Sequence, residues 1–463
     1  MEVSVAGRVN NINLPDKKVL LPVFEAIINS IQACANAGNS SNIDLLIKRH
    51  YDQPSLSSDI NFLPEISSFT IKDNGCGFNT ENFNSFNKSD SLNKAEIGGK
   101  GIGRFLWLKV FGNIKIDSVF SENNKIQHRT FTFSVKDDGI SNNKLKDVVT
   151  STPINTEVHL SDIYEKYRKI IPKETSVIVK ALFGYCLSYF IAGLKINITV
   201  SDDYNKSEKY NLFDMYKREI KNNIIKESLV IKSNPLDAFI IKYPTTNGFN
   251  HRIVYCAHNR EVKIEKIVKY MPIISQRLID NDKNEYIVIA YVIGKCLDDM
   301  VNQERTHFIF DINEIDDDEN SEEKQEDLDN INIITLRDIR QSIIPLVNKH
   351  VEDNLKEIKE NHIKKIEKII NDNSPEYRSV IKYCKDDILK IPPSLSTEKT
   401  EIELHKIMHR LEIDLKEKSS KILKVSPSTE QEIADYNTEY IKVAEQTSDI
   451  GIDKLVFCPN QMA

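Results

Sequence analysis

Glycine is scarce in this chain, with 15 among 463 residues. Long apolar runs, paired cysteines and an excess of basic charge are also missing, and each absence excludes something. The most apolar segment, "VIVKALFGYCLSYFIAG" (177–193), carries Lys180 and falls short of the roughly 20 residues that cross a bilayer. It reads as a buried or half-buried helix, and no membrane partner is expected. Seven cysteines stand at 34, 76, 186, 256, 296, 384 and 458 without a CxxC pair or metal-ligand spacing. That argues against zinc and for a reducing, cytoplasmic compartment. The start, "MEVSVAGRVNNINLP", lacks the basic-then-apolar order of a secretory signal. A net charge of −7 excludes wholesale electrostatic binding of nucleic acid, although a local basic face stays open.

What is present is a globular balance, 40% hydrophobic and 28% charged. The length exceeds one ordinary core, so two or three domains are expected. Residues 1–165 mix a strong helix, alternating strands and glycine turns, an α+β pattern. Residues 166–312 hold the apolar helix and the strand-like runs "KINITV", "FIIKY", "HRIVYCAHNREV", "EYIVIAYVIG" and "THFIFDI". The acidic run 313–330 reads as a solvated linker or loop. Residues 331–463 are mainly helical in composition, broken at Pro375, Pro392-Pro393 and Pro427. Within them "LVNKHVEDNLKEIKENHIKKIEKIINDN" spaces its apolar residues by three and four, as an amphipathic or coiled-coil-like arm does. The lysine-rich faces here read as solvated rather than DNA-bound, and the ending "DIGIDKLVFCPNQMA" suggests reliance on a partner subunit.

The scarce glycines are not spread evenly. Five of them, Gly98, Gly99, Gly101, Gly103 and Gly112, lie in "AEIGGKGIGRFLWLKVFG" (95–112). Such a cluster lets backbone N–H groups approach an anion. It is not a Walker A loop, because Lys100 is followed by Gly101, and its G-G-x-G-x-G spacing is not a dinucleotide fingerprint.

Two further stretches give the cluster company. In "LLPVFEAIINSIQACANAG", Val23, Phe24, Ile27, Ile28 and Ile31 form an apolar stripe at helical spacing. Glu25, Asn29 and Gln32 form a polar ridge at i, i+4 and i+7, free of the lysines and arginines usual on solvent faces. A carboxylate there can orient and deprotonate water, and an amide oxygen can ligate a hard cation. In "ISSFTIKDNGCGF" an alternating strand ends at Asp73, with Gly75 and Gly77 beyond it. Asp-Asn-Gly is also an ordinary turn sequence. An aspartate beside two alternating glycines can, however, accept from the exocyclic amine of a flat base.

E-x-x-x-N on a helix, D-x-G-x-G after a strand and G-x-G before a helix together resemble the GHKL ATPase superfamily of gyrase, heat-shock chaperones, histidine kinases, MutL and MORC proteins. The resemblance implies a Bergerat-type ATP-binding α/β sandwich over 1–165. It implies Glu25 as general base, Asn29 as the Mg²⁺ ligand and Asp73 as the adenine reader, with Gly75 and Gly77 shaping its pocket. Gly98, Gly99, Lys100, Gly101, Ile102 and Gly103 become an ATP lid. "PINTEVHL" resembles the family's G-T-x-V strand, which implies Thr156 near the adenine-side water network, with Asn155 where glycine is usual.

Further along, "VKALFGYCLSYFIAGLKINITV" resembles the entry to a MutL-type transducer, a ribosomal S5-like α/β domain, over 166–312. "VYCAHNREVK" resembles its F-V-N-G-R-x-V stretch, which aligns Arg260. "VNQERTHFIF" resembles the segment that sends a γ-phosphate sensor to the ATP, here Arg305 in place of lysine. The expected function is a Mg²⁺-dependent ATPase switch that forms a homodimer on binding ATP and acts on DNA or a DNA-processing effector partner, as in anti-phage defence. A heat-shock-type chaperone and a non-hydrolysing nucleotide-gated scaffold are the alternatives. A histidine kinase is disfavoured, because such enzymes place a phospho-accepting helical hairpin before the ATP domain and here only about twenty residues precede the first box.

Overall fold

A glycine closes the helix that carries the polar ridge. In the computed structural model, α2 (Leu21–Ala37) follows a short α1 (Val5–Asn11), has proline in its first turn, and ends at Gly38 with φ 67°, the left-handed cap conformation. The structure describes residues 4–38, 40–50, 63–87, 103–244, 250–275, 277–280, 282–301, 307–309, 334–425, 427 and 429–456. Val23, Phe24, Ile27, Ile28 and Ile31 are all buried, as the stripe requires. Asp16–Ala37 is one helical stretch long and apolar enough to cross a membrane by length and composition, but 61% of its apolar window is buried inside the protein.

After α2 come β1 (Ser41–Arg49), β2 (Ile66–Asp73), α3 (Thr80–Asn87), α4 (Gly103–Val110), β3 (Phe111–Glu122), β4 (Lys125–Ser134), β5 (Gly139–Asp147) and β6 (Asn155–Ile163). Then follow α5 (Glu165–Arg168), α6 (Thr175–Ile191), β7 (Ile196–Asp202), β8 (Lys209–Asn211) and α7 (Leu212–Met215). The strands form one mixed sheet in the order β5-β4-β3-β6-β2-β1-β7-β8. Only β1 and β7 pair in parallel within it, Ser41 opposite Ile196 through Ile47 opposite Asp202. Strand alternation shows plainly in β1, where Ile43, Leu45 and Ile47 are buried while Asn42 and Asp44 are exposed.

This sheet does not stop where the sequence suggested a division at 165/166. "KINITV", read as a strand of the following unit, enters the first sheet as β7, and α6 buries its apolar side in the same core. A buried ion pair locks the seam. Arg49 sends Nη2 to Asp202 Oδ2 at 2.6 Å, Nη1 to the Pro64 carbonyl at 2.8 Å, and Nη2 also to the Lys173 carbonyl at 2.7 Å. Burial works against the Asp202 charge, yet its bonds from Arg49 and Thr175 outweigh that and hold its pKa below the ordinary aspartate value.

The second sheet contains β9 (Ile224–Ile231), β10 (Asn234–Pro244), β11 (Arg252–Ala257), β12 (Arg260–Lys266), β13 (Leu278–Ile279) and β14 (Glu285–Ile293), followed by α8 (Lys295–Asp299). The path is β12-β11-β14-β10-β9, with β11 parallel to β14 and β13 paired to β14. Its faces serve two cores. Ile287, Ile289 and Tyr291 join the core of the first sheet. The intervening Tyr286, Val288, Ala290 and Val292 join a second core under α9 (Leu336–Asn373). This explains why β14 reads as a continuous apolar run rather than an alternating one. Of "THFIFDI", Phe308 forms a bridge with Val301 and the Ile309 N–H donates to the Met300 carbonyl at 2.8 Å, while 306 and 310–312 lie outside the described residues.

The helix α9 begins in a capping box between Thr335 and Asp338. Its 38 residues extend about 57 Å at ~1.5 Å per residue. The first half buries Leu336, Ile339, Ile343, Val347, Val351 and Leu355 against the second sheet. Each such burial is worth about 1.5–3 kcal/mol. The second half, through Ile366 and Ile370, enters a third core with α10 (Arg378–Tyr383), α11 (Lys385–Ile388), α12 (Thr397–Ile422) and α13 (Glu430–Val456). The amphipathic spacing therefore serves a packed helix bridging two cores rather than a projecting arm. The protein is α+β with a large mixed sheet and a helical C-terminal region.

Candidate functional site

The floor of the site is one rung across three strands. Asp73 on β2 stands opposite Thr156 on β6, and Thr156 stands opposite Ser118 on β3. All three are buried. Ser118 Oγ and Thr156 Oγ1 are hydrogen-bonded at 2.9 Å, and the Phe78 N–H donates to Ser118 Oγ at 2.9 Å. Asp73 accepts from Ser30 Oγ at 2.7 Å and from the Gly75 N–H at 2.9 Å. Burial raises its pKa above the ordinary value, and these two bonds offset part of that.

The loop after Asp73 fits only because Gly75 and Gly77 carry no side chain. A Cβ on Gly75 would lie 2.6 Å from the Ala33 carbonyl carbon on α2. One on Gly77, at φ 71°, would lie 2.7 Å from Phe120 Cβ. The loop is pinned as well. The Cys76 N–H donates to the Ala33 carbonyl at 3.1 Å, Asn74 bridges the Asn42 N–H and the Ser40 carbonyl, and Asn82 Nδ2 donates to the Gly77 carbonyl at 2.7 Å. The hairpin-turn alternative for Asp-Asn-Gly is thus not realised, since the chain passes from β2 into α3 rather than into a neighbouring strand.

On α2, Asn29 is exposed and Gln32 is half-buried, with Ser30 turned inward to Asp73. Glu25 lies one turn before Asn29 and is half-buried. Its Oε1 accepts from the Tyr185 hydroxyl of α6 at 2.7 Å. Arg260 Nη1, from β12 of the second sheet, lies 3.2 Å from each carboxylate oxygen. Burial opposes the Arg260 charge, but the Glu25 carboxylate more than compensates and holds the arginine pKa above its ordinary value. Burial and then the Glu25 charge push the Tyr185 hydroxyl well up, so it remains a donor.

Gly103 opens α4 beside Glu25, where a Cβ would come within 3.0 Å of Glu25 Oε2. Arg104 is buried, donates to the Ser85 carbonyl at 3.2 Å and sits 5.2 Å from the Phe86 ring centre, so it fastens α4 to α3. Lys109 Nζ donates to the Val9 carbonyl at 3.1 Å and holds α1 against α4. Gly98, Gly99, Lys100, Gly101, Ile102 and Arg305 lie outside the described residues. Among the described residues no group of three His, Cys, Asp or Glu side chains is placed to hold a metal.

The fold thus sets Asp73, Gly75 and Thr156 side by side at the end of β2, with Gly77 against β3, and Glu25 beside Gly103, while Asn29 and Ser30 lie between the two groups on α2. Ser30, Ser118, Asn82 and Tyr185 belong with them and were not read from the sequence. Ser30 had a local signal, directly following Asn29 on the helix. Tyr185 and Ser118 had none, because only sheet register and the packing of α6 deliver them.

No family model matches this chain, and no curated protein matches it. Among solved structures, the N-terminal domain of a DNA repair protein aligns with a TM-score of 0.35 and 13% identity, over 58% of this chain and 82% of that chain. A likeness of that size leaves the functional argument to the side chains.

Proposed function

We propose that this chain binds and hydrolyses ATP with Mg²⁺ between α2 and the first sheet, beside Asp73, as a GHKL-type conformational switch. The observation that carries the reading is the buried Asp73, fixed by Ser30 and Gly75 beneath a loop that only glycines allow. A carboxylate so held offers its remaining lone pairs to the amine of a flat base, and Thr156 and Ser118 line the same rung. Asn29 is exposed on α2, and its amide oxygen suits a hard cation whose other ligands are phosphate and water. The cation would neutralise phosphate charge there. Glu25, a turn away, is proposed to take a proton from water.

The glycine segment before α4 is proposed to close over the phosphates with Lys100 adding a cation, and Arg305 to sense the terminal phosphate. Closure and α1 would then favour a homodimer, with DNA or a DNA-processing partner as the object of the cycle. A second reading, a non-hydrolysing nucleotide-gated scaffold, is favoured by one observation, that both Glu25 oxygens are already engaged by Arg260 and Tyr185. Calorimetric binding of ATP and a non-hydrolysable analogue, with phosphate release measured with and without Mg²⁺ and DNA, separates the readings. Binding with Mg²⁺-dependent release is expected. Binding without release leaves the scaffold, and absence of nucleotide binding overturns both.

A further inference from the structure

We propose that Arg260 and Tyr185 are positioning residues for Glu25, so that hydrolysis depends on the β11–β12 hairpin of the second sheet remaining docked on the first. The inference rests on the reading of Glu25 as general base. Glu25 Oε1 takes two donors, the Tyr185 hydroxyl at 2.7 Å and Arg260 Nη1 at 3.2 Å. Oε2 takes Arg260 Nη1 alone, at 3.2 Å, and is the oxygen facing the start of α4 at Gly103. The less occupied oxygen is thereby turned toward Gly103 at the start of α4, and the other is held by two donors. A glutamate side chain left unheld would spread over several rotamers, and catalytic groups need a supporting shell to keep their geometry.

The hairpin is itself built to be held. Its two-residue turn, His258-Asn259, has φ of 50° and 60°, the conformation that suits a tight hairpin. Ser188 Oγ of α6 donates to the Asn259 carbonyl at 2.6 Å, and the His258 N–H donates to Asp298 on α8. Arg260 is the next residue. The turn is therefore fastened from two sides immediately before the side chain that reaches Glu25. Tyr189, one turn after Tyr185 on α6, also lies beside Arg260 and is buried. The ion pair thus sits at the junction of α2, α6 and the second sheet, and a shift of that sheet moves the guanidinium off the carboxylate.

The test is steady-state hydrolysis of Mg²⁺-ATP by the full chain and by Arg260→Gln, Arg260→Lys and Tyr185→Phe, with calorimetric binding of a non-hydrolysable ATP analogue to each. Arg260→Gln is expected to lower kcat about 100-fold, the scale of a misplaced catalytic group, while KM and analogue affinity stay within about twofold. Arg260→Lys should recover about tenfold of that loss, because the charge returns without the planar guanidinium that fixes its direction. Tyr185→Phe should lower kcat about tenfold, the scale of one hydrogen bond to a charged group. The Tyr185 ring lies 5.2 Å from that of Phe24, a contact phenylalanine keeps, so this variant decides the matter if Arg260→Gln fails to fold. Unchanged kcat in Arg260→Gln or Tyr185→Phe overturns the proposal and leaves the general base standing. A raised KM at constant kcat also overturns it, because Arg260 would then be meeting nucleotide directly. If the wild-type chain does not hydrolyse ATP, the general-base reading falls and this proposal falls with it.

Discussion

Arg260 and Glu25, 235 positions apart in the chain, form an ion pair at 3.2 Å that joins the second sheet to the polar ridge of α2. Both side chains are mostly buried, at 17% and 12% exposure. Removing one partner of such a pair leaves an uncompensated charge and costs about 3–5 kcal/mol. Glu25→Gln also leaves the Arg260 charge uncompensated, but it keeps the side chain's shape and a hydrogen-bond acceptor, so it probes the chemistry more cleanly than truncation does. Glu25→Gln is expected to reduce phosphate release by at least about 100-fold, the scale of general-base loss, while nucleotide binding persists. Phosphate release and calorimetry on the same preparation check this, and undiminished turnover would remove Glu25 from the reaction.

Asp73 gives a pH dependence with a definite sign. Burial raises its pKa above the ordinary 3.8, so it takes up a proton earlier than an exposed aspartate as pH falls. Once protonated it no longer presents a charged acceptor. Affinity for adenine nucleotide should accordingly be full at neutral pH and fall as pH drops through that raised value. Native Asp73 also holds its proton more tightly than the unfolded chain does, so protonation itself favours the fold. Asp73→Asn should weaken ATP about 10- to 100-fold, as loss of a hydrogen bond to a charged group does, and should remove the acid limb. Titration calorimetry from neutral to mildly acidic pH measures both.

The glycines separate into those that fit the site and those that do not. Gly75→Ala and Gly77→Ala place a carbon within 2.6 Å and 2.7 Å of fixed atoms and should cost more than about 1 kcal/mol each along with nucleotide binding. Gly184, inside α6, has nothing within 4 Å of its would-be Cβ. Gly184→Ala should raise stability by about 0.5–1 kcal/mol, from helix propensity alone. Urea midpoints of the three variants would show opposite signs.

The Arg49–Asp202 seam predicts the acid behaviour of the fold. Because the folded pKa of Asp202 is held below its ordinary 3.8, its contribution is present above that value and lost as pH falls through the depressed one. Asp202→Asn should flatten the decline of stability in that interval. Arg49→Ala should cost about 3–5 kcal/mol at neutral pH, because Asp202 is left buried and unpaired. Denaturant midpoints at neutral and strongly acidic pH test both statements.

The sequence alone was sufficient for the α2 stripe and ridge, for Asp73 with its two glycines, and for the helical composition of the last third. Helical and strand periodicities are local, and a glycine that no other residue can replace shows itself by position. It was insufficient wherever two distant segments had to meet. "KINITV" reads the same whether it extends the first sheet or starts the second; only the parallel pairing with β1 and the Arg49–Asp202 seam decide. The continuous apolar run of β14 says that both faces are covered, not by what. Ser118 and Thr156 became partners of Asp73 through register, and Tyr185 and Arg260 reached Glu25 through the docking of α6 and the hairpin. Local propensity and hydrophobic spacing are written residue by residue, whereas a site shared by two sheets exists only once their common core, from Ile27 to Tyr291, has closed.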